Sequence, residues 1–206
     1  MSNTESPYVS ATDDFSNEEK EQIAEALSEA LGIRFQTSTT SLEAIDIIPI
    51  LTIALEVVSA GFIGGLSAKM GSDTWDLAKS RIIKSIAKRR ENPKTRLELR
   101  FQYDGTEVTC SVRGDNLKIV EKAIDGWKDA VREVTNMVEG KNLPGQRVIL
   151  YYSFDGSNWE ITDATVMEPG FDKVRFDRKT KKWEAVDPNA SRVLREFEKK
   201  LRDHKR

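Results

Sequence analysis

The chain is poor in the two side chains on which many compact catalytic and metal sites depend. Its 206 residues include one cysteine, Cys110, and one histidine, His204. A single cysteine excludes an internal disulfide and a cysteine-based zinc site. A single histidine excludes a two-histidine metal site within one chain. A Ser–His–Asp triad or a Cys–His pair would have to use His204, which lies in a charged C-terminal segment. We therefore expect a protein that is not an enzyme and has no cofactor and no metal.

The chain also lacks a strong bias of charge. Its 32 basic and 34 acidic residues give a net charge of −2, which argues against a dedicated nucleic-acid-binding protein, since such domains are usually basic. Residues 1–14 contain neither the basic region nor the apolar core of a signal peptide, so we expect a cytoplasmic location. The four Trp, eight Phe and four Tyr are enough aromatic mass for a packed core.

The N-terminal part predicts a tail, a helix and a short strand. We predict that residues 1–15 are a disordered tail. Ser16 and Glu19 have the spacing of a capping box, which starts a helix because each side chain can bond the other residue's backbone N–H. Gly32 is a typical residue to end that helix. The alternation over 33–37 then favours a strand.

The longest apolar stretch runs from Ile45 to Met70, and Glu56 is its one charge between residues 47 and 66. About 20 apolar residues can cross a membrane, but a carboxylate at mid-membrane costs about 2.5–3.5 kcal/mol. Three glycines weaken a membrane signal further and suit close packing of another backbone. We predict a central helix buried by its own fold, with Glu56 in a structural or interface ion pair. Membrane insertion of 47–66 remains the alternative. The glycines are Gly61, Gly64 and Gly65.

A basic helix is predicted over 74–90, after Gly71. Its charged face can dock anionic lipid or an acidic partner, or be an ordinary solvated surface. Alternatively, the acidic helix over 18–29 could pack against this basic face within a dimer. Together with Glu56 and the three glycines, four residues of this helix are our interaction candidates: Lys84, Lys88, Arg89 and Arg90.

The middle and C-terminal parts read as a hairpin, a long helix and a second unit. Strands over 96–103 and 106–113 flank Asp104-Gly105, a pair typical of a type I′ turn. Apolar residues then recur at helical spacing from Asp115 to Val138. We predict an α+β domain over 16–139, a linker over 140–146, and a β-meander with a C-terminal helix over 147–206.

Three segments resemble the core of the effector-associated constant component proteins of bacterial conflict systems. They are Gly61-Phe62-Ile63-Gly64-Gly65-Leu66, Lys88-Arg89-Arg90 and Leu97-Glu98-Leu99-Arg100-Phe101. The resemblance covers roughly residues 18–138 and carries over no functional residue. It implies a non-enzymatic component of a defence or programmed-death system that bridges a sensor or effector to other parts.

The sequence therefore predicts an α+β fold, with a small antiparallel-containing sheet packed with helices, followed by a small β-meander and a C-terminal helix. The expected function is that of an interaction, adaptor or regulatory component of a bacterial defence system. Its expected partner is another protein or a second copy of the chain, and we do not expect nucleic acid. The alternative is a membrane-directed effector that inserts 47–66, with the basic helix on anionic lipid.

Overall fold

A computed structural model of the chain describes residues 6–39, 48–55, 69, 72–89, 95–145, 147–167, 172–177, 179–180 and 182–186. Three helices and nine strands lie within these ranges. In chain order they are β1 (Tyr8–Ala11), α1 (Asn17–Leu31), β2 (Gln36–Thr39), β3 (Ile50–Leu55), α2 (Asp73–Ala87), β4 (Arg96–Tyr103), β5 (Thr106–Arg113), α3 (Leu117–Glu139), β6 (Val148–Phe154), β7 (Trp159–Val166), β8 (Asp172–Asp177) and β9 (Lys182–Ala185).

The nine strands form one sheet in the order β2-β1-β3-β4-β5-β6-β7-β8-β9. Three neighbouring pairs are parallel, namely β1 with β2, β3 with β4 and β5 with β6. The segment that joins each pair contains a described helix, α1, α2 or α3 in turn, and a parallel connection needs such a crossover. The remaining neighbours are antiparallel, and β6 to β9 form a meander. The α+β class is confirmed.

The predicted sheet was too small. Because β5 pairs in parallel with β6, strands on both sides of 140–146 share one sheet. The pairing matches Val108 with Leu150 and Cys110 with Tyr152, so the apolar face continues across this point. The β-meander predicted after residue 147 is observed as β6 to β9. The division into two domains stays a prediction, and the predicted C-terminal helix lies outside the described residues.

Alternating residues give the sheet one apolar face, and the three helices pack together with it in one core. Leu97, Leu99 and Phe101 of β4 are each at most 3% exposed. Buried residues of β5 lie opposite them, such as Cys110 beside Leu99. The predicted stripe of α3 is confirmed, because five of its residues are at most 1% exposed: Val120, Ile124, Trp127, Val131 and Val134.

Two local predictions near turns and caps are confirmed by their geometry. The Ser16 hydroxyl accepts the Glu19 N–H at 3.2 Å, and the Glu19 carboxylate accepts the Ser16 N–H at 3.0 Å. Asp104 and Gly105 have φ of 44° and 76° between β4 and β5. These positive values define the I′ turn that twists with the flanking strands, and glycine adopts them without steric cost.

The prediction of a helix over the apolar stretch is wrong at residues 50–55, which form β3. This strand lies between β1 and β4 and is buried on both faces, since Leu51, Ile53 and Thr52 are 0%, 1% and 7% exposed. A strand buried on both faces shows a continuous apolar run, which periodicity cannot distinguish from a buried helix. Residues 56–68, including Glu56, Gly61, Gly64 and Gly65, lie outside the described part of the chain.

The N-terminal tail is also shorter than predicted. Residues 8–11 form β1, which lies between β2 and β3, and Val9 and Ala11 are at most 1% exposed. The strand predicted over 33–37 is observed over 36–39, because Gly32 ends α1 and Phe35 turns into the core first. A tail of polar composition can enter a sheet because its alternate residues need only one apolar face.

Candidate functional site

The face of the sheet opposite the helices is the candidate functional site. It is formed by the residues that alternate with the buried ones, and over β4, β5 and β6 it lines a groove of about 800 Å³. Strand register places Glu98 beside Ser111, and Arg100 beside Thr109. Ser111 and Thr109 in turn lie beside Ser153 and Tyr151 of β6. The face therefore presents hydroxyl, guanidinium and carboxylate groups in adjacent rows.

An ion pair between Glu98 and Arg100 lies within this groove. The Arg100 Nε donates to a Glu98 carboxylate oxygen at 3.1 Å, and Nη2 contacts the same oxygen. Burial lowers the pKa of Arg100, but the attraction and hydrogen bonds of Glu98 and Tyr8 together hold that pKa above its usual value. The Arg100 side chain is 45% exposed, so part of the guanidinium still faces solvent. Glu98 can therefore hold the Arg100 guanidinium in place while its exposed N–H groups remain able to donate to a bound molecule.

Two arginines lie directly opposite each other at one end of the groove. Arg96 begins β4 and Arg113 ends β5, and the two are Cα partners in the antiparallel register. Both are exposed. Like charges in directly opposed positions destabilise a sheet by roughly 0.2–1 kcal/mol. This pair of exposed like charges is a candidate for contact with another molecule.

The β6 side of the groove carries an exposed aromatic ring. Tyr151 is 37% exposed, whereas the next residue, Tyr152, is 1% exposed on the helix side. The register between β6 and β7 shifts between these two residues, and Thr162 donates its hydroxyl to the Tyr151 carbonyl at 3.1 Å. This irregularity bends the strand beside the groove. A tyrosine with an exposed ring offers apolar contact and a hydrogen bond at once.

The same face is not open along its whole length. Beside the groove, Ser10 of β1 and Thr52 of β3 are Cα partners and are 3% and 7% exposed. A smaller groove of about 270 Å³ lies on this side and is lined by these two residues and by Glu98 and Arg100. We call the region of the larger groove, over β4, β5 and β6, the open face.

Among the predicted interaction residues, Arg89 makes contacts within the chain. Its guanidinium contacts both Glu19 oxygens, at 3.1 and 2.7 Å, and the Ser85 carbonyl at 2.6 Å. It also stacks on the Phe15 ring at 3.7 Å from the centroid. These contacts join the end of α2 to the start of α1 and leave the Arg89 side chain 12% exposed.

Lys88 contacts the same carboxylate, with Nζ 3.1 Å from a Glu19 oxygen. The hydrogen bond from Arg89 is the largest influence on Glu19 and lowers the pKa of its carboxyl to about 2 against the effect of burial. The acidic helix predicted to face the basic helix within a dimer thus meets it within one chain. Lys84 is exposed on α2, and Arg90 lies outside the described residues.

Another lysine of the basic helix connects two helices. Lys79 of α2 contacts Asp125 of α3 at 2.9 Å and Asp76 of its own helix at 3.3 Å. Burial lowers the pKa of Lys79, but hydrogen bonds to these carboxylates raise it above its usual value overall. Lys79, Lys88 and Arg89 thus contact acidic residues of α1 or α3, whereas Lys84 is exposed on the same helix.

The cysteine and the acidic residues give no catalytic or metal arrangement in the described ranges. Cys110 is fully buried on the helix side of the sheet, and burial raises the pKa of its thiol. This makes the reactive thiolate scarce. Across the part of the chain that the structure describes, no group of three or more His, Cys, Asp or Glu residues is placed to hold a metal ion.

The open face includes residues that sequence reasoning did not select. Glu98, Arg100 and Ser111 lie in the predicted hairpin and Tyr151 lies in the predicted meander, but none of them is among the predicted interaction residues. The available signal was the strict alternation of β4 and β5. That alternation identifies a polar face but does not say whether helices, another sheet or solvent lies against it.

Within the described ranges, no helix is long and apolar enough to cross a membrane. Comparisons with family models, with curated proteins and with solved structures find no match to this chain. The resemblance to effector-associated constant component proteins therefore stays a prediction, and the site is interpreted from its own geometry.

Proposed function

We propose that this chain is a non-enzymatic interaction or adaptor component that acts by forming a complex with another protein. The observation that carries the proposal is the open face. All three helices pack on one side of the sheet, and the polar groove over β4 to β6 lies on the other. An accessible sheet face that combines an exposed tyrosine with partly exposed arginines is well suited to protein recognition, because both residue types are enriched at interfaces.

The charge of this face favours a protein partner over nucleic acid. Its arginines are interspersed with Glu98, Glu107 and Asp115, all of which line the groove. A surface of mixed sign is repelled by a continuous phosphate backbone at its acidic positions but can match a protein surface of complementary pattern. The chain's overall net charge of −2 supports the same choice.

The proposed setting is a bacterial defence system, as the family resemblance implies, with the complex formed in the cytoplasm. The alternative of membrane insertion by residues 47–66 receives no comparable support. Six of these residues form β3, paired on both sides with β1 and β4, and a helix over the same residues would require the sheet to open.

A site-specific crosslinking experiment tests the proposal. A photoreactive amino acid is placed at Ser111, in the middle of the open face, and in a matched variant at Ser80 on α2, which is also half-buried. In the host cell we expect a discrete crosslinked protein from position 111 and none from position 80. Adducts at Ser80 alone, or at neither position, would contradict the proposal.

A pair of substitutions then tests whether the contact depends on this face. Ser111→Arg adds a large charged side chain to the groove, and we expect at least about a tenfold lower recovery of the crosslinked partner by the full chain. Ser80→Arg makes the same chemical change on α2 and should leave recovery unchanged. Circular dichroism on both variants establishes that the fold is retained.

A further inference from the structure

The edge of the sheet formed by β2 is a second accessible feature, separate from the open face. β2 is the last strand in the sheet order and, within the described residues, pairs with β1 alone. All four of its residues are exposed. A strand in this position presents unpaired N–H and C=O groups along its outer side.

The register identifies which groups point outward. Gln36 donates its N–H to the Pro7 carbonyl at 2.9 Å, so its backbone faces β1. In a parallel ladder, backbone groups alternate between the two sides of a strand. The N–H and C=O groups of Thr37 and Thr39 therefore point away from β1.

β2 is short, with four residues, but it lacks the charges, proline and bulge that commonly prevent pairing at an edge. Its residues are Gln-Thr-Ser-Thr, with no charge and no proline, and its register with β1 has no bulge. The opposite edge of the sheet differs, since β9 carries Lys182 and Glu184. Charged side chains of this kind are a common means of blocking strand addition.

A groove of about 640 Å³ lies between α1 and the start of this edge, at Gln36 and Thr37, and its α1 wall is acidic. At the other end of β2, Lys20 of α1 donates a hydrogen bond to the Thr39 hydroxyl. Glu21 and Glu25 line it, lie one helical turn apart and are exposed. Like charges at this spacing destabilise a helix slightly. No described cation forms an ion pair with either of them, whereas Glu19 on the same helix contacts both Arg89 and Lys88. Arg34 is the one cation among the groove's described lining residues.

We propose that β2 binds an extended, basic segment of a partner protein, which adds to the sheet as an additional strand. The segment's backbone bonds the outward groups of Thr37 and Thr39. Since strand side chains alternate between faces, every second residue of the segment points toward α1. Thr37 is the Cα partner of Val9 and shares its face, so this is the side on which Glu21 and Glu25 lie. Lysine or arginine at alternate positions meets these carboxylates.

The proposal uses a different surface from the open face and holds whether or not that face binds a partner. Two separate surfaces on one chain, an edge that takes a strand and a face that takes a folded surface, are also what a bridging component requires. Main-chain pairing supplies affinity in this mode of recognition, and the alternate side chains supply specificity.

Peptide binding to the full chain provides the test. The probe is a fluorescent ten-residue peptide of Thr and Val with lysine at alternate positions, compared with the same peptide carrying glutamate in place of lysine. We expect the lysine peptide to bind about tenfold or more tightly than the glutamate peptide. It should also slow hydrogen exchange at the Thr37 and Thr39 amides. Absence of binding, or binding without amide protection, would overturn the proposal.

Variants separate strand addition from simple charge attraction. Thr37→Pro removes an N–H that the sheet itself does not use, so the fold is retained while affinity falls about tenfold or more. Glu21→Gln with Glu25→Gln should weaken binding several-fold, whereas Glu184→Gln on β9 should not. An equal loss of affinity in the β9 control would show that the peptide is attracted by the overall charge of the protein, and would reject the site.

A lysine peptide with an N-methylated backbone tests the main-chain hydrogen bonds of strand addition without altering the protein. Unchanged affinity for this peptide would also reject strand addition.

Discussion

The two faces of the sheet are made by the same strands and have opposite properties. On the helix side, Leu99 and Cys110 are partners and are at most 1% exposed. One residue along each strand, Arg100 and Thr109 are partners on a face that lines a solvent-filled groove. Because side chains alternate between the two faces of a strand, one set of residues packs in the core and the other set remains accessible for recognition. Structural and candidate functional residues therefore alternate, and are not grouped in separate segments.

The comparison also distinguishes the two sets of charges. Several charges on the helix side are paired within the chain, as in the contacts of Arg89 with Glu19 and of Lys79 with Asp125. On the open face, Arg96 lies opposite Arg113 with no such compensation among the described carboxylates. A basic cluster in the sequence can thus be structural, while scattered arginines on alternating positions form the accessible surface.

The largest effect is expected where the helix-covered face is broken. Trp127→Ala removes a ring that is 1% exposed and packs edge-on against Phe101 with centroids 6.4 Å apart. We expect a loss of about 3–5 kcal/mol in the free energy of unfolding, measured by urea denaturation. Tyr151→Ala on the open face is the matched comparison and should cost less than about 1 kcal/mol. Similar losses in both variants would mean that the two faces are packed alike.

A smaller effect is expected at the junction of α1 and α2. Glu19→Gln weakens the charged hydrogen bonds from Arg89 and Lys88, and should cost about 1.5–3 kcal/mol at neutral pH. Glu21→Gln, two residues further on the exposed side of the helix, should change stability by less than about 0.5 kcal/mol. Urea denaturation of the two variants compares a carboxylate paired with Arg89 and Lys88 with one that pairs with no described cation, and equal losses would contradict the pairing.

The same carboxylate predicts the pH dependence of stability. The Glu19 pKa is about 2 in the folded chain and near 4.5 when unfolded, so the unfolded state binds more protons between these values. Its contribution is fully present above about pH 4.5 and is lost as the pH falls toward 2. The difference in unfolding free energy between the wild type and Glu19→Gln should shrink over this window. A constant difference would contradict the lowered pKa.

The smallest effect is expected on the open face and has the opposite sign. Arg113→Gln removes one of two like charges in directly opposed positions, and should raise stability by roughly 0.2–1 kcal/mol at low salt. The gain should disappear at high salt, because exposed charges are screened. Arg132→Gln on α3 removes an exposed arginine paired with Asp129 and should give no gain. A loss of stability in Arg113→Gln would indicate that the arginine pair is satisfied within the fold.

Elements with a local signal were predictable. The capping box at Ser16, the turn at Asp104-Gly105 and the stripe of α3 depend on neighbouring residues, and the structure confirms them. The strand at 50–55 and the strand at 8–11 were not predictable in this way. Both are set by their partners in the sheet, and an apolar or polar run alone does not report which partners it will have.

The candidate site shows the same division. The residues chosen from the basic helix were selected because charge is visible in a sequence, yet Arg89 and Lys88 contact Glu19 on α1, about 70 residues earlier in the chain. The residues of the open face were visible as an alternating pattern, but their accessibility depends on where the helices pack. The edge of β2 gave no sequence signal beyond its lack of charge.

The sequence by itself determined the α+β class, the caps, the hairpin and the four strands of the meander, because each depends on periodicity or on residues a few positions apart. Only the tertiary structure decided that the nine described strands join one sheet, that the three described helices cover one of its faces, and that β2 lies at the edge of the described sheet. Strand order and helix placement depend on contacts between segments that are distant in the sequence. These contacts form only in the folded chain, so they leave no local pattern in the sequence. The open face and the open edge exist for that reason alone.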